Sequence, residues 1–426
     1  MKKLKAYFIF IIIVCVQHAH AQDTTYLAHQ DTLSYTLQQA EDTFLARNLS
    51  LIAQKYSIDS ARATVITARL YDNPEVSFSN AFYNSVTNRF FEPEESFQYS
   101  QLIKTAGKRN KAIGLARSGI DIATFQFYDL LRTLRFTLRN DFYNIYFLEQ
   151  SSKLYQQEIA SLKGLVPIFE QQEKKGFIAF KDVLRIKTQL YTLQAEYNDL
   201  QTNIDNIQSE LKLLIRAKPT SFIVAVADSQ KLNKSIFALS PYGMLLDSAI
   251  ANRPDLKSAQ AATLFSQNNL LLQKALAKPD VSLFVTYDRM GSYVKDFNAI
   301  GIALPLPFFN RNQGNIANAK IQIEVNKVGY EATLDKVQSD LATNYITAAR
   351  ADKLLQSFDP KFDTDQEHLI HEVFINFQKR NITMLEFLDF YESYKQNVLE
   401  MNKLRFNKMS ALEQLNFAVG KVIFNQ

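Results

Sequence analysis

The apolar residues of this chain keep two different periods in turn. From Pro74 to Tyr83 the period is two: Val76, Phe78, Asn80 and Phe82 alternate with Ser77, Ser79, Ala81 and Tyr83. The same pattern predicts strands over about Ser96–Ile103, Val281–Asp288 and Asn298–Pro307, the last with Ile300, Ile302, Leu304 and Leu306 on one face. Elsewhere the pattern is helical. It predicts helices over Leu37–Leu70, Thr105–Glu173 (apart from Pro167), Phe180–Lys218, Met244–Ala277, Asn315–Lys379 with a kink at Pro360, and Met384–Ile423. Two of these stop at Asn73-Pro74 and Lys278-Pro279, where proline disfavours helix in the residue before it. In Phe180–Lys218 the residues Leu190, Leu193, Tyr197, Leu200, Ile204, Ile207, Leu211 and Leu214 are spaced alternately three and four apart. That is a coiled-coil seam, so this helix has to lie lengthwise along another.

The elements come twice. Leu51 answers to Leu256, Pro74 to Pro279, Ile113 to Ile316 and Asp182-Val183-Leu184 to Glu386-Phe387-Leu388, a displacement of about 204 residues throughout. Solenoid repeats run to roughly 20–50 residues, so this is a duplicated half-molecule. Each copy reads helix, strand pair, long helix, helix, and the pseudo-symmetry disfavours an enzyme built around one cleft. The division is residues 1–21 as a leader, 22–218 as the first repeat with strands within 74–103, 219–241 as a linker, and 242–426 as the second repeat with strands within 279–307. The helix after each strand pair is about as long as the two shorter ones together. Each copy should therefore form a rod about 100 Å long, at ~1.5 Å per residue, with strands at one level and a helical turn at the far end.

Composition narrows the setting. Lys2, Lys3 and Lys5, the apolar Ala6–Val16 and Ala19-His20-Ala21 form a cleavable secretory signal, too short in its apolar part to span a bilayer. Cys15 lies within it, and Val14 stands where lipid attachment needs a small residue, so no lipid anchor is expected. The remaining chain would have no cysteine and no disulfide. Losing the leader removes three lysines and no acids and takes the net charge from +5 to +2, which gives no support for nucleic-acid binding.

The strands are close to the ~9–11 residues that cross a bilayer at a tilt. Four strands cannot close a barrel, and an open edge cannot face lipid. Either they form a small soluble sheet or several chains pool them. Phe82, Tyr83, Phe90, Phe91, Phe97, Tyr99, Tyr287, Tyr293 and Phe297 cluster near the strands, as in the aromatic girdles of outer-membrane barrels, although aromatic residues in strands are also common in ordinary cores.

Three segments carry a resemblance: Ala249–Leu256 (AIANRPDL), Lys278–Leu283 (KPDVSL) and Leu304–Asn318 (LPLPFFNRNQGNIAN), with fainter echoes at Leu37–Leu51 and Gly107–Arg117. They resemble the outer-membrane efflux proteins, the TolC-like channels. The resemblance implies a mainly α fold with a small β part. Duplicated long antiparallel coiled-coil helices and four strands per chain would trimerise into a 12-stranded outer-membrane β-barrel continued by a periplasmic α-helical barrel. It also implies a homotrimer in outer-membrane lipid, a periplasmic adaptor, an inner-membrane efflux pump, and no cofactor. A duct for type I protein secretion and a periplasmic coiled-coil adaptor are the alternatives.

In such channels the helix after the last turn carries acids at the closed periplasmic entrance. The run Glu-Phe-Leu-Asp places this role on Glu386 and Asp389, three apart on one helix face. The alternative is that acids near a helix N-terminus answer its dipole. The turns Gly176-Phe177-Ile178 and Arg380-Asn381-Ile382 would be the adaptor-docking tips, or plain helix–helix turns. No nucleophile stands beside a base. His368 and His371, beside Glu367 and Glu372, have a spacing a metal could use, but a packed or solvated pair is expected and no metal site is assigned.

Overall fold

The computed structural model describes residues 31–84, 88–91, 95–228, 232, 241–290, 294–359 and 361–424. The expected leader, Cys15, Pro360, Tyr293 and most of the linker lie outside them. The chain runs β1 (Asp31–Thr36), α1 (Leu37–Arg47), α2 (Leu49–Arg69), β2 (Glu75–Ser79), β3 (Tyr83–Asn84), β4 (Arg89–Phe90), β5 (Ser96–Ile103), α3 (Lys108–Lys174), α4 (Phe180–Ile215) and β6 (Ser221–Val226). It continues through α5 (Tyr242–Asn252), α6 (Pro254–Leu276), β7 (Val281–Asp288), β8 (Phe297–Ala303), α7 (Gln313–Gln356), α8 (Phe362–Gln378) and α9 (Met384–Val419).

Three expectations about helix length need correction. The first helix of each copy is two helices, broken at Asn48 and at Arg253. Asn48 has extended backbone, caps α2 by accepting from Leu51 N–H at 3.0 Å, and donates to the Leu214 carbonyl at 3.0 Å. The C-terminal end of α4 thus meets the N-terminal end of α2 beside α3. In the second copy Arg253 sits 3.5 Å from the Ala418 carbonyl at the end of α9. Gly420, with φ of +76°, lets the chain pass so close that a Cβ would lie 3.0 Å from the Arg253 Cα. Pro167, by contrast, does not interrupt α3, which keeps 67 residues. It lies on the exposed side, where the carbonyl it leaves without a partner can turn to water. The stretch expected as one kinked helix over Asn315–Lys379 is α7 and α8, which are separate.

Four strands form one antiparallel sheet in the order β2-β5-β7-β8. Its register puts Val76 beside Tyr99, Phe78 beside Phe97, Tyr99 beside Val285 and Val285 beside Ile300, with Leu283 beside Ile302. Directly paired residues share a face, so one face is mostly apolar, with Gln101 and Asn298 its polar members. It is also exposed: Phe78, Val285 and Ile300 keep 67%, 49% and 85% of their surface. The other face carries Ser77, Gln98, Ser100, Ser282 and Thr286, and there the Phe284 ring lies over Gly301, so that a side chain at 301 would have to push the ring aside. The sequence missed two further pairings. β1 and β6 pair in parallel from Asp31–Ser221 to Thr36–Val226, and β3 and β4 form a two-residue ribbon.

The helices repeat the order of the strands. Near the sheet they pack as α2-α3-α6-α7; farther away α4 takes the place of α2, and α9 that of α6, giving α4-α3-α9 followed by α7 and then α8. A core at mid-height gathers Phe44, Leu138, Phe142, Leu211, Ile223, Leu341 and Leu415. A second core, toward the turns, contains Leu162, Ile186, Leu193, Val373, Phe377 and Phe387. Among the described residues no helix is long and apolar enough to cross a membrane.

Candidate functional site at the helical tips

The two turns at the far end have the same backbone. Gly176 (φ +75°) and Arg380 (φ +61°) are both left-handed, and each turn closes with the following N–H donating back to the carbonyl five residues earlier, Phe177 to Gln172 and Asn381 to Asn376, both at 2.9 Å. This C-terminal cap favours glycine, and arginine adopts it at a cost of roughly 1 kcal/mol. Arg380 also donates through Nη2 to Gln172 Oε1 at 2.6 Å, tying the second turn to the helix of the first. Phe177 and Phe180 are each 66% exposed at the first turn, and Leu385 63% beside the second. Ile178 and Ile382 are half-buried, and Asn381 is exposed.

Glu386 and Asp389 are both exposed on the first turns of α9, while Phe387 between them is fully buried. Phe387 stacks on Phe377 (centroids 4.1 Å, 9° between planes), which packs on Phe169 of α3. Burying Phe387 turns the two acids outward. Glu386 has a further partner that the sequence reading did not assign. It completes a capping box with Thr383, accepting from the Thr383 N–H and hydroxyl at 2.8 Å each while its own N–H donates back at 3.2 Å. Those two donors hold its carboxyl below the usual range. The first copy has Ala179 at the equivalent cap with no side-chain bond, and Arg185 where the second has Asp389. Among the described residues no group of three candidate metal ligands occurs, so His368 and His371 stand without a third ligand.

One turn farther in, a buried charge cluster joins the two hairpins. Lys395, 1% exposed, pairs with Glu196 at 2.9 Å and Glu392 at 3.0 Å, and Gln189 donates to Glu392 at 3.3 Å. Glu158 on α3 lies beside them, buried, with neither carboxylate oxygen hydrogen-bonded. Burial pushes its carboxyl up to about 8, against the pull of Lys395 and with the push of Glu392 and Glu196. The missed signal was the stripe Phe387, Tyr391, Lys395 at intervals of four, which marks Lys395 as an inward residue.

A pH dependence follows. The unfolded chain loses the Glu158 proton near pH 4.5 while the folded chain keeps it to about pH 8. Stability conferred by this group is therefore complete below 4.5 and declines as pH rises toward 8. The protection factors of the Leu162 and Phe387 amides, corrected for the pH dependence of intrinsic exchange, are expected to be higher at pH 5 than at pH 8.5. Glu158→Gln should flatten that difference, whereas an unchanged slope in the variant would assign it elsewhere.

Comparison with known proteins places this geometry. Residues 245–367 match the outer membrane efflux protein family. Over 356 residues it is 20% identical to the cobalt-zinc-cadmium resistance protein CzcC of Cupriavidus metallidurans, covering 83% of this chain and 82% of that one. The fold is that of TolC-like outer-membrane channels. It superposes on the Campylobacter jejuni CmeC outer membrane channel with a TM-score of 0.72 at 15% identity, over 91% and 87% of the two chains. It superposes on the open state of the Neisseria gonorrhoeae MtrE outer membrane channel with 0.71 at 17%, over 91% and 89%. The matched family and the superposed channels are outer-membrane proteins. The apolar sheet face is exposed, as faces that meet a partner or a membrane are.

Proposed function

We propose that the protein is the exit duct of a tripartite efflux system, assembled from three copies and gated by its helical tips. The observation that carries this reading is the coincidence of two open edges. β2 and β8 end the sheet, and the helical layer ends on the same two sides, at α2 and α4 and at α7 and α8. Both helical edges expose apolar residues, Leu49 and Tyr56 on α2 and Ile321, Val325 and Val328 on α7. Strand directions alternate throughout, so β8 of one copy can pair antiparallel with β2 of the next and close a barrel without frustration. Two copies would give eight strands, whose interior side chains fill. Three give 12 strands and a continuous water-filled path.

The duct is passive and performs no chemistry. Energy comes from an inner-membrane pump, and an adaptor engages the tips at Gly176-Phe177-Ile178 and Arg380-Asn381-Ile382, where Phe177 and Phe180 offer apolar anchors. The buried Lys395–Glu196 pair and the Arg380–Gln172 bond join the two hairpins of one copy, which favours parting between copies. Glu386 and Asp389 from three copies place six carboxylates around the entrance, a ring that favours cations.

Purified protein in detergent is expected to have the mass of a trimer and to form cation-preferring pores in planar bilayers. Exchanging both acids for alanine should lower cation preference and weaken block by multivalent cations. A monomeric species overturns the assembly. Unchanged selectivity in the double variant removes these two acids from the gate and leaves Glu386 with its capping role alone.

A further inference from the structure

Between α3, the start of α6 and the end of α9 lies a cavity of about 410 Å³, within the range that holds a small organic molecule. Phe125, Tyr128 and Phe136 of α3 and Phe417 of α9 supply apolar wall. Five cations line it, and two are already matched. Arg132 donates through Nη1 to the Phe417 carbonyl at 3.0 Å, lies 4.1 Å over the Phe417 ring, and pairs with Asp129 at 2.6 Å and Asp255 at 3.5 Å. Arg139 pairs with Glu41 and with Glu413, both at 2.9 Å, and Glu413 is the one acid in the lining. Arg135, Lys257 and Lys421 have no ion pair among the described residues, and the Arg135 Nε is buried without a hydrogen-bond partner.

We infer that this cavity is a binding site for an amphiphilic organic anion, a ring or short alkyl body carrying a carboxylate or sulfonate. The apolar wall takes the body. Arg135, flanked on its own helix by Arg132 and Arg139, takes the acid group with Lys421 and Lys257 at the rim. Three uncompensated cations around an apolar hollow favour an anion and disfavour a neutral or cationic guest. The duplicated fold does not impose this arrangement: the matching stretch of the second copy, Asp335–Thr343, has a single cation, Lys336. Assembly does not cover it either. The cavity lies between the middle helices of the layer, away from the edges at α2 and α4 and at α7 and α8, so it is open for any number of copies.

The test is isothermal titration of the purified full chain in a non-ionic detergent with naphthalene-2-sulfonate, and with 2-naphthalenemethanol as the uncharged isostere. Saturable binding of one sulfonate per chain is expected, at least tenfold weaker for the alcohol and weaker as salt rises. Arg135→Gln with Lys421→Gln should weaken the sulfonate at least tenfold, and Arg135→Lys should retain most of it. Mass in detergent and thermal unfolding of each variant report whether the protein is intact, and pore conductance reads the duct separately. Absence of saturable binding to the native chain overturns the proposal, as does equal affinity for sulfonate and alcohol. Equal affinity of the native chain and the double variant overturns it too.

Discussion

Replacing Arg139 by alanine is expected to destabilise the mid-height core by about 3–5 kcal/mol, the cost of breaking a buried pair from one side. Arg139 is 3% exposed and stands on α3 between Glu41 of α1 and Glu413 of α9, so it joins the first copy to the second. Without it two carboxylates are left beside one another, one of them in Glu413, whose carboxyl burial already pushes up despite the Arg139 charge. The deficit should shrink at acid pH, because protonation removes the repulsion that the arginine had offset. Exchanging Arg139 for methionine together with Glu41→Gln and Glu413→Gln should recover most of the loss, since a neutral network has no uncompensated charge to bury. Thermal unfolding of the single and triple variants decides the matter. Equal melting temperatures for Arg139→Ala and the native chain would show that water reaches the two acids and that the network is structurally idle.

The second large effect concerns the sheet. Arginine in place of Val285 should block assembly in the outer membrane, and arginine in place of the next residue, Thr286, should not. Val285 is near the centre of β7 on the apolar face, between Tyr99 and Ile300, whereas Thr286 points to the polar face between Gln98 and Ala299. A lipid-facing arginine near mid-bilayer costs roughly 2–4 kcal/mol, and each copy in a closed barrel contributes one. A charge on the other face would meet the water of the proposed duct. Membrane fractionation and the heat-modifiable mobility of the assembled protein measure the outcome. Equal assembly of both variants would mean that the sheet does not face lipid on the Val285 side.

Much of this molecule is legible along the chain. The two faces of the sheet follow from a period of two, because one register step exchanges them and each strand has a clearly apolar face. The α4 seam follows from its alternating spacing, and each of its eight residues is buried or half-buried. The tips are legible as interruptions at equivalent places in two copies. The break at Asn48 is harder to see, for a physical reason. Ala40, Phe44, Leu51, Ile58 and Val65 keep heptad spacing straight through it, so the inward stripe continues where the helix does not. Asn48 is a good helix cap, and Arg253-Pro254 in the second copy marks the break more openly, since proline starts a helix and holds its predecessor extended.

The remaining features depended on partners distant in sequence. β1 has little pattern of its own and exists because β6, 190 positions later, offers its edge at Asp31–Ser221. Lys395 lies on an inward stripe, yet it is buried only because Glu196 and Glu392 stand beside it, and a lysine placed there without them would have remained in water. The sequence by itself determined the duplicated order of elements, the inward and outward faces of strands and helices, and the positions of the turns, because each is set by local periodicity and by proline and glycine geometry. The tertiary structure alone decided that the first helix breaks at Asn48, which charges are buried together, and that sheet and helical layer end on the same two sides. Those depend on which distant groups share a low-dielectric interior, and a periodic pattern carries no information about that.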